Sequence, residues 1–288
     1  MSPRLGLGLG FSNFHNSNEK KMIDKYLFID GAYFERIIAK VSDEFFNLKE
    51  SAKLNYQAVI GGHKKAFYYH CLPGQRDQES DVDFNKRKQT KIDFFNQLKL
   101  IDKLHVFEGL ISGSGGKNVR QKGVDIMIAV DMMKHSFRKN MDEATLLAGD
   151  LDFKPLLDAL VAEGMFVNLQ YSNLSISNEL LYSADKRERI TIRKIYNWID
   201  LLYRGNLDLK IPVSRPYPVK SYSQGKKLIS KDLLNDALFE VYFNNDSQEF
   251  EAYYYDKNLH FKNHCYNDLD KLIMFIEDDE GEKVRSLL

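Results

Sequence analysis

Four aspartates are the residues whose types and spacing point to chemistry. Asp150 and Asp152 close the stretch Ala144-Thr145-Leu146-Leu147-Ala148-Gly149-Asp150-Leu151-Asp152. A short Leu-rich run ends there in Gly-Asp-x-Asp, and an amphipathic segment starts at Phe153, which reads as a buried strand, a turn and a helix. In an open parallel sheet, ligands bind just past the C-terminal ends of the strands. Two carboxylates at such a place repel each other unless something positive lies between them. A divalent metal meets that need, and an all-oxygen donor set suits Mg²⁺ or Mn²⁺. The run Tyr26-Leu27-Phe28-Ile29 ends in the same way at Asp30-Gly31. One strand-end aspartate is commonly only a helix cap, but two strands that end so suggest carboxylates converging on one sheet edge. The fourth acid, Asp125, follows Lys122-Gly123-Val124. Gly123 marks a helix start, so Asp125 sits in the first turn, where the helix dipole favours a negative charge. Asp131 lies six residues on, roughly 240° around the helix, and does not face the same site.

The elements that must position these acids alternate from Tyr26 to about Tyr203, as expected for a parallel α/β sheet. Strands are expected at 26–29, 65–71, 105–110, 144–148 and 165–170. Helices are expected at 33–48, 82–100, 124–138, 153–163, 177–184 and 192–203. Ser112-Gly-Ser-Gly-Gly-Lys117 reads as a flexible loop. Three prolines, Pro212, Pro216 and Pro218, make residues 206–226 a linker. A small α+β appendage follows at 227–288. Its expected elements are a helix from Ser230 to Tyr242, a strand at Tyr253-Tyr254-Tyr255 and a last helix near 269–276. Residues 1–21 read as a disordered or non-native lead, with Met22 as an alternative start.

The chain of 288 residues carries equal numbers of basic and acidic side chains. Bulk charge therefore calls for no polyanion, but residues 206–288 hold 15 acids and 11 bases, leaving the first 205 the more basic. Cys71 and Cys265 have no partner at metal-ligand spacing. Two thiols make no disulfide framework, so a reducing, cytoplasmic setting is expected. No apolar run approaches the roughly 20 residues that span a bilayer.

In Asp30-Gly31, Lys122-Gly123-Val124-Asp125 and Gly149-Asp150-Leu151-Asp152-Phe153-Lys154-Pro155, taken in this order, residues 24–203 resemble the NYN domain of the LabA/DUF88 type, a member of the PIN-like nucleases. Tyr33 and Leu151 stand where the family often has Asn and Ser. The resemblance implies a three-layer α/β/α fold with a mainly parallel central sheet, an acidic site for Mg²⁺ or Mn²⁺, and endoribonuclease activity. It assigns Asp30, Asp125, Asp150 and Asp152 to that site. Asp30 and Asp150 would be the principal ligands, while Asp125 and Asp152 would add ligands or orient water. Hydrolysis would leave a 5′-phosphate and a 3′-hydroxyl. Metal-assisted attack of water on a phosphodiester fits such a cluster independently. RNA is the expected partner. Lys117, Arg120 and Lys122 beside Asp125 would contact phosphates and Tyr33 would stack on a base, while the Lys86-Arg87-Lys88 run reads first as a solvated face. Residues 206–288 would serve self-association or a protein partner. The alternative is a catalytically weak RNA-binding or regulatory protein on the same fold. A DNA nuclease fits the same acids, since nothing in the sequence reads a 2′-hydroxyl. A haloacid dehalogenase-type phosphatase fits less well, because its Asp-x-Asp follows the first strand and this one follows the fourth.

Overall fold

Apolar β-forming runs bounded by Gly and polar turns fold into the central strands of a seven-stranded sheet. The computed structural model describes residues 23–112, 120–173, 176–214 and 223–286. The expected lead and the Gly-rich loop lie outside these residues, as does part of the expected linker. In chain order the elements are β1 (Lys25–Asp30), α1 (Gly31–Glu44), α2 (Tyr56–Ile60), β2 (Lys65–Cys71), α3 (Asp81–Lys99), β3 (Leu104–Ser112), β4 (Arg120–Lys122), α4 (Val124–Phe137), β5 (Glu143–Leu147), α5 (Lys154–Ala162), β6 (Phe166–Tyr171), α6 (Asn178–Leu181), β7 (Lys186–Arg189), α7 (Ile192–Trp198) and α8 (Leu201–Asn206). The strand order is β4-β3-β2-β1-β5-β6-β7. All pairs are parallel except β3 with β4.

Each face of this sheet is closed by helices, which gives the three layers. Leu27 and Ile29 of β1 point into one core with Phe34, Ile37, Ile38 and Val41 of α1 and with Phe95 and Leu98 of α3. Tyr26 and Phe28 point into the other, with Ile128 and Met132 of α4 and Leu157 and Leu160 of α5. The chain winds from β1 outward through β2 and β3, then returns to lay β5 on the other side of β1. The strand order therefore reverses between β1 and β5, the switch point at which open α/β sheets bind ligands.

The C-terminal region is a second, antiparallel sheet of order β11-β10-β9-β8-β12 with one helix. Its elements are β8 (Lys227–Leu234), β9 (Ala237–Asn244), β10 (Glu249–Tyr255), β11 (Phe261–Tyr266), α9 (Leu269–Glu280) and β12 (Arg285–Ser286). The strand at the tyrosine run and the last helix are found as expected, but the helix expected over Ser230–Tyr242 is a β-hairpin. Asn235 and Asp236, at φ 53° and 56°, form its two-residue turn, a backbone shape that Asn and Asp tolerate and that suits the twist of paired strands. Phe239, Val241, Tyr254, Leu272 and Phe275 share one core with Phe45, Ile190 and Ile195 of the first domain. Of the expected linker, Val213 forms a bridge with Cys265 of β11. The helix expected at 177–184 is shorter, and β7 follows it; the exposed, charged Lys186–Arg189 lacks the apolar alternation that marks a strand.

Arg189 ties the two sheets by donating to the carbonyls of Asp278 and Asp279 at 2.8 Å each. Asp278 accepts from the Ile192 N–H at 2.6 Å. Burial pushes its carboxyl up to about 6, against the pull of that N–H and of Arg189. A raised acid is ionised at a cost in the folded state. The cost is full above the folded value, shrinks as the pH falls through it and vanishes below the unfolded value near 4. Asp278→Asn keeps an acceptor for Ile192 and removes the charge. It is expected to stabilise the protein at pH 7.5 by on the order of 1–3 kcal/mol and by almost nothing at pH 4. Thermal unfolding at both values checks this, and equal destabilisation at both would contradict it.

Candidate active site

The switch point gathers the four aspartates. In the β1–β5 register Ile29 pairs with Leu147, so Asp30 lies level with Ala148, two residues before Asp150 and about 4.8 Å across the sheet at backbone level. Gly31 lets α1 start against β2: a Cβ there would stand 2.7 Å from the Tyr68 ring and 2.8 Å from the Tyr69 carbonyl oxygen. Asp30 caps that helix, its Oδ1 accepting from Ala32 and Tyr33 N–H at 3.0 and 3.1 Å. Its other oxygen takes no hydrogen bond among the described residues. The cap reading and the site reading of Asp30 are thus compatible.

Asp150 also caps, accepting from the Asp152 N–H at 3.1 Å. Residues Leu151–Phe153 form a single tight turn that precedes α5. Asp152 lies within this turn, and no side chain caps α5 itself. Gly123 takes φ 92° to start α4, a left-handed shape that glycine adopts without strain, and Asp125 follows in the first turn.

Electrostatics link the four. Asp125 is raised above the ordinary carboxylate value by partial burial and by the negative charges of Asp30, Asp150 and Asp152. Asp30, 8 % exposed, is raised by burial, which outweighs its two backbone hydrogen bonds and the pull of His70 and Arg36. An acid held above its ordinary value by neighbouring carboxylates is stabilised when a cation joins them.

Several neighbours were not found from the sequence. Arg36 is exposed on α1 and pulls on Asp30. Glu35 receives Lys91 on both oxygens at 2.5 Å, Tyr68 on Oε1 at 2.5 Å and His70 on Oε2 at 3.4 Å. Burial would raise Glu35, but His70 and Lys91 overcome it and hold the carboxyl at about 2. No local motif marks this cluster, because its members come from α1, β2 and α3. Asp131 has the structural role expected of it. Its Oδ2 accepts from the Tyr69 hydroxyl at 3.0 Å, and its Oδ1 pairs with Lys134 at 2.6 Å. Tyr69 is level with Asp30, so this bond pins α4, and Asp125 with it, to the strand beside Asp30.

Among the expected nucleic-acid contacts, Tyr33 is corrected. It is 1 % exposed, its hydroxyl accepts from the Ser172 N–H at 2.9 Å, and burial pushes it up to about 12. It has no open face for a base. Lys117 lies outside the described residues. Arg120 and Lys122 lie on β4, with their side chains outside the described set. Lys86 and Lys88 sit on α3, where Arg87 is paired with Glu79 at 2.6 Å.

The donors fit a hydrated Mg²⁺ or Mn²⁺ better than a tight cage. Among the described residues, no three His, Cys, Asp or Glu side chains close around one point as they would to hold a bare metal ion. Mg²⁺ usually keeps several waters and takes one or two protein carboxylates. Asp30 and Asp150, at the ends of adjacent strands, would be the candidates to supply those, and Asp125 and Asp152 would serve through water.

A family model described as NYN domain matches residues 26–191, the whole run from β1 to the start of α7. No curated protein matches the chain. Among solved structures, a protein of unknown function from Vibrio parahaemolyticus is similar over 58 % of this chain and 93 % of its own, at 15 % identity and a TM-score of 0.39. No helix among the described residues is long and apolar enough to cross a membrane.

Proposed function

Because this chain belongs to the NYN domain family, within the PIN-like superfamily, we propose that its nuclease-like domain is a metal-dependent endoribonuclease working at the β1–β5 switch point. The observation that carries the reading is that Asp30, Asp150 and Asp152 all act by their charge on Asp125. Three negative charges from two other stretches of chain bearing on one carboxylate make an arrangement that a shared cation relieves.

When bound, the divalent ion would activate a water and offset charge on the phosphate. Asp30 and Asp150 would hold the ion, and Asp125 and Asp152 would orient the waters around it. One of these carboxylates would accept the proton of the attacking water. The water oxygen bonds to phosphorus as the bond to the 3′-oxygen breaks. The 3′-oxygen takes up a proton, leaving a 5′-phosphate and a 3′-hydroxyl. Arg36, with Arg120 and Lys122 of β4 and Lys117 just before them in the sequence, would hold the RNA backbone. Such contacts carry little sequence information and weaken with salt.

Incubation with labelled single-stranded and structured RNAs tests this. Internal cleavage is expected with Mn²⁺ or Mg²⁺, none with EDTA, and the fragments should carry ligatable 5′-phosphates. A second reading, a catalytically weak RNA-binding or regulatory protein, is favoured by the lack of a tight three-ligand cluster among the described residues. RNA binding without metal binding or cleavage would select it.

A further inference from the structure

A cavity of about 970 Å³ lies between α1, α2 and α3. None of its residues belongs to the acidic cluster. One wall is the stripe Arg87, Lys91, Phe94 and Leu98 of α3, which spans about 16 Å at 1.5 Å per residue. The facing wall includes Phe34 and Ile38 of α1 and Tyr56 of α2. His70, Cys71 and Pro73, at and just past the end of β2, bring the cavity to the edge that carries Asp30.

The lining combines ring faces with unspent N–H donors. Phe94 is half-buried, with the Lys91 ammonium 5.1 Å from its ring centroid, and the buried Tyr56 backs it with ring centroids 6.2 Å apart. Arg87 spends its Nε and Nη2 on Glu79 and the Gly74 carbonyl, which leaves Nη1. Lys91 bonds both oxygens of Glu35 and keeps one N–H of its three. Lys53, exposed at the rim, forms no ion pair among the described residues. A base presents a π-face and carbonyl acceptors, and its phosphate presents anionic oxygens. Aromatic platforms with cations beside them hold single strands in this way. The volume lies at the upper end of the range of small-ligand pockets and exceeds the needs of one nucleotide.

We propose that this cavity is a base-binding subsite for the substrate strand. It receives the base of a nucleotide next to the scissile phosphate while that phosphate lies at the aspartate edge. This rests on the reading that the protein acts on RNA, and it adds a source of base preference that the acidic site lacks.

Photo-cross-linking tests it without cleavage. Single-stranded oligonucleotides carrying 4-thiouridine at successive positions are bound in EDTA, irradiated and mapped by mass spectrometry. Cross-links are expected on peptides that carry Tyr56 or Phe94. Thr90→Trp and Gln97→Trp fill the cavity from exposed positions of α3. In either variant these cross-links should disappear, and binding should weaken by roughly 5–150-fold, the worth of one stacked base, with unfolding temperature unchanged. Cross-links confined to other peptides, or unaltered binding in both folded variants, overturn the subsite. If the wild type cleaves RNA while cross-links avoid the cavity, only the subsite fails. If it binds no RNA at all, the subsite and the RNA reading fail together.

Discussion

Asp150→Asn is expected to lower metal-dependent RNA cleavage by at least ~100-fold while leaving the metal-free protein as stable as the wild type or slightly more so. Residues that merely orient metal ligands are commonly worth 10–100-fold, and a principal ligand should exceed that. The stability half follows from the geometry. Asparagine keeps an oxygen to accept from the Asp152 N–H, so the turn is retained, and one like charge bearing on Asp125 is removed. The Asp125 carboxyl should move back toward its ordinary value, which NMR titration can follow. A loss of activity that accompanies a large fall in unfolding temperature would mean that Asp150 is structural. Full activity in the variant would remove it from the site.

Gly31→Ala should produce the largest loss of stability among single-methyl additions in the nuclease-like domain. The added carbon would overlap both the Tyr68 ring and the Tyr69 carbonyl oxygen, and a strand carbonyl cannot move aside as a flexible side chain can. Tyr68 is itself fully buried and bonded to Glu35. Overpacking a rigid core costs about 1–3 kcal/mol and occasionally more; here the upper end is expected, a large share of the ~5–15 kcal/mol that holds a domain together. Because α1 would shift from β2, the Asp30 cap would move and metal affinity would fall with stability. Thermal unfolding and Mn²⁺ titration measure the two effects. An unchanged unfolding temperature would show that the helix start has slack that the structure does not suggest.

These two substitutions touch residues that the sequence already marked, and the reason is local. Asp30-Gly31 and Gly149-Asp150-Leu151-Asp152 sit where apolar strand runs stop, so period and punctuation suffice to place them at strand ends. The parallel sheet and its flanking helices follow from the same alternation. Asp125 needed Gly123, whose positive φ opens α4. What stayed hidden is non-local. Glu35, His70 and Lys91 meet only because α1, β2 and α3 pack together, and their spacing in the chain carries no trace of it. Tyr33 looked available because it follows Asp30 closely, yet the helix that Asp30 caps turns it inward to Ser172. The hairpin of β8 and β9 suits a helical reading because its apolar residues also fall on a helical face. The Asn235-Asp236 pair, placed between alternating runs, is the signal that marks a hairpin instead.

The most direct test is a crystal of the protein soaked in Mn²⁺ and measured at the manganese absorption edge. An anomalous peak is expected at the β1–β5 switch point, with carboxylate oxygens of Asp30 and Asp150 at about 2.0–2.2 Å, bond lengths usual for small divalent ions, and with Asp125 and Asp152 reaching its waters. A peak elsewhere, or none among the four aspartates at saturating Mn²⁺, would contradict the claim that these acids share one cation.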